Sequence, residues 1–96
     1  MKQNEIVVKL KKKKSTLNKL GVHSMALFGS FARGEAKRTS DIDILVEFNR
    51  PVGLFEFAHL KLYLEETLGR KVDLVTPEAL RKEMRDEIMR EALHVT

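Results

Sequence analysis

The strongest constraint on the fold is the stretch Asp41 to Phe48, which alternates without a break. Ile42, Ile44, Val46 and Phe48 point one way, and Asp41, Asp43, Leu45 and Glu47 the other. A period of two predicts a β-strand with one face on a core and acid on its open face. Such a strand needs partners. Ser24–Phe28 is a short apolar run closed by Gly29, the right length for a buried strand, and Lys71–Val75 predicts a third. Elsewhere apolar residues recur at helical spacing. Ile6, Val7, Leu10, Leu17 and Leu20 precede Gly21, and Leu54, Phe57, Leu60, Leu64 and Leu68 precede Gly69. Leu80, Met84, Ile88, Ala92 and Val95 follow a start at Thr76-Pro77. The expected order is helix, strand, turn, strand, helix, strand, helix. It divides 1–96, read as a single domain, into a basic N-terminal helix (1–20), a sheet-forming region (24–75) and a C-terminal helix (77–95).

Ninety-six residues provide one hydrophobic core and no second one. The absence of cysteine excludes disulfides, thiol catalysis and thiolate zinc sites. His23, His59 and His94 lie too far apart in the chain to form a local ligand pair. The net charge of +4 is unevenly spread. Residues 1–20 carry seven lysines against Glu5, or +6, and the other 11 basic and 13 acidic residues give −2. The Lys11–Lys14 run has no interleaved aromatics and reads as a solvated helix face rather than a nucleic-acid groove. No apolar stretch approaches the ~20 residues of a membrane span, so the expectation is a cytoplasmic protein. Phe55, Leu62 and Tyr63 fall off the stripe of their helix, which suits contact with a partner or a second copy in a homodimer.

Chemistry concentrates around Gly29-Ser30, followed after ten residues by Asp41-Ile42-Asp43. Carboxylates at i and i+2 on a strand share a face about 7 Å apart at the backbone. Without a cation they repel and raise each other's pKa. An oxygen-only ligand set suits Mg²⁺, which completes its shell with water and substrate phosphate. Asp73 alternates with Val72 and Leu74 as Asp43 does with its own neighbours, so adjacent strands would bring a third acid beside the pair. Three carboxylates and a glycine-hydroxyl turn are the parts of a two-metal phosphoryl-transfer site. Gly29 lets a phosphate approach the backbone and Ser30 offers it a hydroxyl; Arg33, Lys37 and Arg38 lie in the same segment to neutralise charge. Other motifs fail on detail. Glu35-Ala36 stands where a P-loop requires lysine and a hydroxyl, and Leu45 and Val46 replace a ligand and the glycine of a calcium loop.

The stretch GSFARGEAKRTSDIDILV, with Asp73 behind it, resembles the minimal nucleotidyltransferases of the DNA polymerase β superfamily. That resemblance implies a polymerase β-like α/β (α+β) fold, a small mixed β-sheet flanked by helices. It implies Gly29, Ser30 and Arg33 as nucleotide contacts, Asp41, Asp43 and Asp73 as metal-binding and catalytic residues, and Asp73 as the base. It further implies Mg²⁺, ATP as substrate, and a HEPN-domain ribonuclease toxin as the protein that receives AMP, on a tyrosine hydroxyl, making this chain the antitoxin. Two other readings stand beside it: an antitoxin that neutralises by stoichiometric binding alone, and a small-molecule nucleotidyltransferase. Length favours the protein acceptor, since only about one helix follows Asp73 and no second domain encloses a small one.

Overall fold

The computed structural model describes residues 1–95. The alternating stretch forms β2, Ile42–Phe48, at the centre of the architecture. It pairs antiparallel with β1, Val22–Phe28, and parallel with β3, Val72–Val75. A two-residue strand, β4, Leu93–His94, adds antiparallel to the outer edge of β1 and completes a mixed sheet of order β3-β2-β1-β4. Helices α1, Gln3–Lys11, and α2, Lys14–Lys19, precede the sheet. The short α3, Gly29–Ala32, follows β1 directly, α4, Leu54–Leu68, links β2 to β3, and α5, Lys82–Glu91, lies before β4.

One face of the sheet holds the core. Met25 and Leu27 of β1, Ile42, Ile44 and Val46 of β2, and Val72 and Leu74 of β3 bury against Ile6, Leu10, Leu17, Leu60, Leu64 and Leu68 from the helices. Each fully buried Leu or Ile side chain contributes roughly 1.5–3 kcal/mol of transfer free energy. Helix α4 starts with Glu56 accepting the Gly53 N–H at 3.3 Å and ends where Gly69 turns left-handed at φ 68°. Its inner positions are those of the expected stripe from Phe57 onward, with Tyr63 also packed on the core. Leu54, expected on that stripe, is instead 80% exposed, beside Phe55 at 90% and with Leu62 at 61%. Of the apolar side chains in the first turn of α4, Phe57 packs against Phe48, with ring centres 6.3 Å apart, while Leu54 and Phe55 face solvent.

Three expected boundaries change. The helix expected over 1–20 breaks at Lys12 and Lys13, inside the lysine run. Like charges at Lys9/Lys13 and Lys11/Lys14 disfavour a continuous helix there. The helix expected over 77–95 is reduced to Lys82–Glu91. Pro77–Ala79 makes a single 3₁₀ turn that lies against β2, and Leu80 and Arg81 then run extended at ψ 144° and 148° before α5 begins. At the other end Ala92 is already extended, because residues 93–95 pair with β1: the Val95 N–H donates to the Met25 carbonyl at 2.8 Å and the Val95 side chain is buried. A sheet edge supplies backbone partners that another helical turn would forgo. The sheet therefore reaches beyond 24–75, to Val22 on one side and to β4 on the other.

Candidate active site

Period-two alternation sends Asp43 and Leu45 to the face opposite the core, and pairing of β2 with β3 decides what meets them. Asp43 stands directly opposite Asp73, and Leu45 opposite Val75. On its other flank Asp43 faces Phe28, the last residue of β1. The open face thus carries two carboxylates side by side at one end of the sheet. Asp41 lies one residue before β2, exposed, close enough for its charge to act on Asp43.

Gly29 sits at the start of α3 with φ 72°, a conformation that side-chain-bearing residues rarely adopt. A Cβ at this position would also collide with the Asp43 carboxylate, standing only 3.0 Å from its Cγ. Glycine is therefore required twice over: the turn needs left-handed backbone, and the acid needs the space. Ser30, in the first turn of α3, is half-buried, and its carbonyl accepts the Glu35 N–H at 2.8 Å, which folds the following loop back on α3.

Electrostatics single out Asp43. Its pKa is pushed up from 3.8 to about 6, first by burial, then by the Asp73 charge and a hydrogen bond to the Asp73 side chain, and further by Asp41. Arg33 opposes the rise. The Arg33 guanidinium is held by two carboxylates, Nε to Glu35 Oε1 at 3.3 Å and Nη1 to Glu91 Oε2 of α5 at 3.6 Å. Arg33 thus belongs to the rim of the acidic cluster, with its charge shared among several partners.

The residues fit a divalent cation by the chemistry of the donor set. Among the described residues no three carboxylate or imidazole side chains are gathered tightly enough to enclose an ion by themselves. Mg²⁺ does not need such a cage, since one or two carboxylates with substrate phosphates and water satisfy it. Asp43 and Asp73 supply that pair. A cleft of about 240 Å³ opens beside Gly29, lined by Phe28, Arg33, Met84, Ile88 and Glu91 among others. A larger one of about 420 Å³ lies at the far end of β2, around Phe48, Arg50 and Thr76, and is lined by none of the motif residues. Charge and register, not volume, mark the site.

One residue at this site carries no sequence signal. Arg70 follows the stop of α4, and its Nη2 donates to the carbonyls of Ser40 at 2.6 Å, Arg38 at 2.8 Å and Lys37 at 3.4 Å. Its guanidinium also lies 5.2 Å from the centre of the Phe31 ring. The span of some thirty residues between Arg70 and its acceptors hides this contact from any local pattern.

Comparison with known proteins identifies the family. The nucleotidyltransferase domain family matches residues 7–95. The chain belongs to that family. Protein adenylyltransferase MntA of Thermococcus cleftensis is 42% identical over 83 residues, spanning 86% of this chain and 84% of the relative. A solved minimal nucleotidyltransferase superposes with a TM-score of 0.84 at 36% identity, over 97% of this chain and 95% of the other. The fold is also shared, at a TM-score of 0.59 and 20% identity, with a solved structure of a tri-AMPylated HEPN toxin of Shewanella oneidensis in complex with an MNT antitoxin, over 88% of this chain and 69% of that one. The mixed sheet flanked by helices is thus the fold of a minimal nucleotidyltransferase, and the chain is a nucleotidyltransferase by family. No helix among the described residues is long and apolar enough to cross a membrane.

Proposed function

We propose that this chain transfers AMP from ATP to a hydroxyl group of a partner protein, a HEPN-domain toxin, and so acts as its antitoxin. The observation that carries the chemistry is the direct opposition of Asp43 and Asp73 across β2 and β3, with Gly29 pressed against Asp43. The name of the Thermococcus relative supports a protein as acceptor. So does the exposure of the acids themselves: Asp41 and Asp73 are open to solvent, where an acceptor would enter.

In this reading Gly29 and Ser30 hold the triphosphate through backbone and hydroxyl, and Arg33 leans on it from the rim. Asp43 and Asp73, with Asp41 beside them, would hold Mg²⁺, two ions in the full site. When bound, Mg²⁺ supplies charge neutralisation for the triphosphate and lowers the pKa of the attacking hydroxyl. The acceptor oxygen bonds to the α-phosphorus, the bond between the α-phosphorus and its bridging oxygen breaks, and pyrophosphate leaves. The hydroxyl proton passes to the Asp73 carboxylate. A tyrosine is the expected acceptor.

The test is incubation with α-labelled ATP, Mg²⁺ and the product of the gene neighbouring this chain's, which the proposal expects to be a HEPN-domain protein. Label on that protein that disappears with Asp41→Asn and with Asp43→Asn supports the proposal, and loss of label with Tyr→Phe in the acceptor fixes the residue. Neutralisation of the toxin that survives both substitutions, with no label transferred, overturns the catalytic reading in favour of binding alone.

A further inference from the structure

The motif that carries the chemistry comes in two pieces, the Gly29-Ser30 turn and the Asp41-x-Asp43 segment, joined by the exposed loop 35–41. Asp43 is fixed by the sheet on both flanks. Asp41 is not: it precedes the first paired residue of β2, and the loop that delivers it makes few bonds of its own. Lys37 N–H donates to Ser40 Oγ at 2.8 Å and Ser40 N–H to the Lys37 carbonyl at 3.0 Å, a local turn exposed to water. Ile42 N–H donates to the Lys71 carbonyl at 3.0 Å, which anchors the chain just after Asp41. What remains is to hold residues 37–40 against the body.

We infer that Arg70 is a positioning residue of the active site, its single guanidinium fixing the Asp41 loop relative to the Gly29-Ser30 turn. One nitrogen, Nη2, meets the Lys37, Arg38 and Ser40 carbonyls, and the guanidinium carbon lies over the ring of Phe31, the residue after Ser30. Phe31 is buried in the core and so provides a rigid base for the contact. Arginine suits this task better than lysine: the guanidinium carbon approaches the aromatic ring while Nη2, one bond farther out, reaches the carbonyls, whereas a lysine ammonium ends one bond short of that nitrogen. Its backbone location adds precision, because Arg70 lies between the left-handed Gly69 and Lys71, whose carbonyl holds Ile42. A short segment, 69–71, thereby clamps the Asp41 loop from both ends. Arg70 touches neither carboxylate and acts only through the loop and Phe31.

The inference rests on the nucleotidyl-transfer reading for its functional half, and its physical half is tested without turnover. Amide hydrogen exchange is measured on the protein free of nucleotide, for the wild type and for Arg70→Lys and Arg70→Met. Exchange at the hydrogen-bonded amides of Lys37, Ser40 and Ile42 should rise at least about tenfold in both variants, with Ile44 and Val46 of β2 keeping wild-type protection as proof of an intact fold. Wild-type exchange at these three amides in Arg70→Lys would overturn the clamp. The second readout is the Mg²⁺ concentration for half-maximal labelling, which should rise several-fold in Arg70→Lys while kcat at saturating Mg²⁺ falls less. An unchanged Mg²⁺ dependence beside a mobile loop would reduce Arg70 to a structural role and overturn the positioning claim. If wild-type protein labels no acceptor, the proposed function fails, and the exchange result still decides whether the clamp exists.

Discussion

The two faces of the sheet are built from the same three strands and are opposite in physical character. On the helix-covered face, Leu27, Ile44 and Leu74 line up across β1, β2 and β3 and are buried beneath α1 and α4. One position earlier on each strand, Phe28, Asp43 and Asp73 meet on the open face; β1 runs the other way, so its neighbour in the row comes later in the chain. The first row lowers the free energy of the fold, and the second raises it, since Asp43 sits beside like charge and is partly buried. Stability and chemistry are therefore separable by face, which substitutions on either side of β2 can break or sharpen.

The largest separation is expected from Asp43→Asn. If Asp43 acts as proposed, its loss should lower labelling by at least ~10²–10³-fold, while the thermal midpoint stays level or rises, because a repelling charge is gone. Labelling and thermal unfolding of one preparation check both halves; a large drop in the midpoint would show that Asp43 is part of the structural framework. The mirror case is Leu64→Ala on the buried side of α4. It should cost ~2–5 kcal/mol by denaturant unfolding and leave the labelling rate per folded molecule unchanged. A defective rate in the folded fraction would mean that packing under the sheet reaches the acids above it.

Gly29→Ala lies where the two faces meet, and its effect should be smaller in stability but visible on both sides. Forcing an L-residue at φ 72° costs ~1–2 kcal/mol, and the added methyl must displace the Asp43 carboxylate. Labelling should therefore fall by more than the lost stability explains, with the excess read from kcat at saturating ATP.

How much of this was legible in the chain follows the same division. The alternation in Asp41–Phe48 specifies both rows of β2, and the matching parity of Asp73 anticipates its place opposite Asp43. The extent of α4 follows from its stripe and Gly69. What escaped depends on contacts distant in sequence. Residues 93–95 carry a helical pattern with α5, yet the free edge of β1 recruits them as strand. Thr76-Pro77 is a sound helix start, yet packing of the 3₁₀ turn on β2 diverts the chain after three residues. Leu54 fits the stripe by spacing, yet as the first residue of α4 it stays exposed. Arg70 looks like an ordinary cation after a helix stop, and only the folded loop 37–40 shows what it holds.

A modest effect is expected from pH. The folded-state pKa of Asp43 is about 6 against 3.8 for the ordinary group. Between those values the folded protein binds a proton at Asp43 that the unfolded chain has released, so this group's contribution to stability falls as pH rises from about 4 to 6 and is constant outside that window. With the group half-buried and screened, the fall should be about 1–2 kcal/mol at most. Denaturant midpoints in chelator at pH 4, 5, 6 and 7 should show this slope in wild type and lose it in Asp43→Asn. Its persistence in the variant would place the titrating group elsewhere.

The smallest effect is expected farthest from the acids. Lys11–Lys14 is exposed and falls at the break between α1 and α2. Replacing all four with glutamine should change stability by no more than ~0.5 kcal/mol, and in the direction of gain, since like charges spaced three and four apart repel. Labelling should be nearly unchanged at both low and high salt. An unchanged rate would place function on the open face alone. Charges that merely solvate a helix lose influence beyond ~10 Å at 0.1 M salt. A loss of labelling that grew as salt was lowered would instead mean that the basic end recruits nucleotide or partner from a distance, and the N-terminal helices would then join the working surface of the protein.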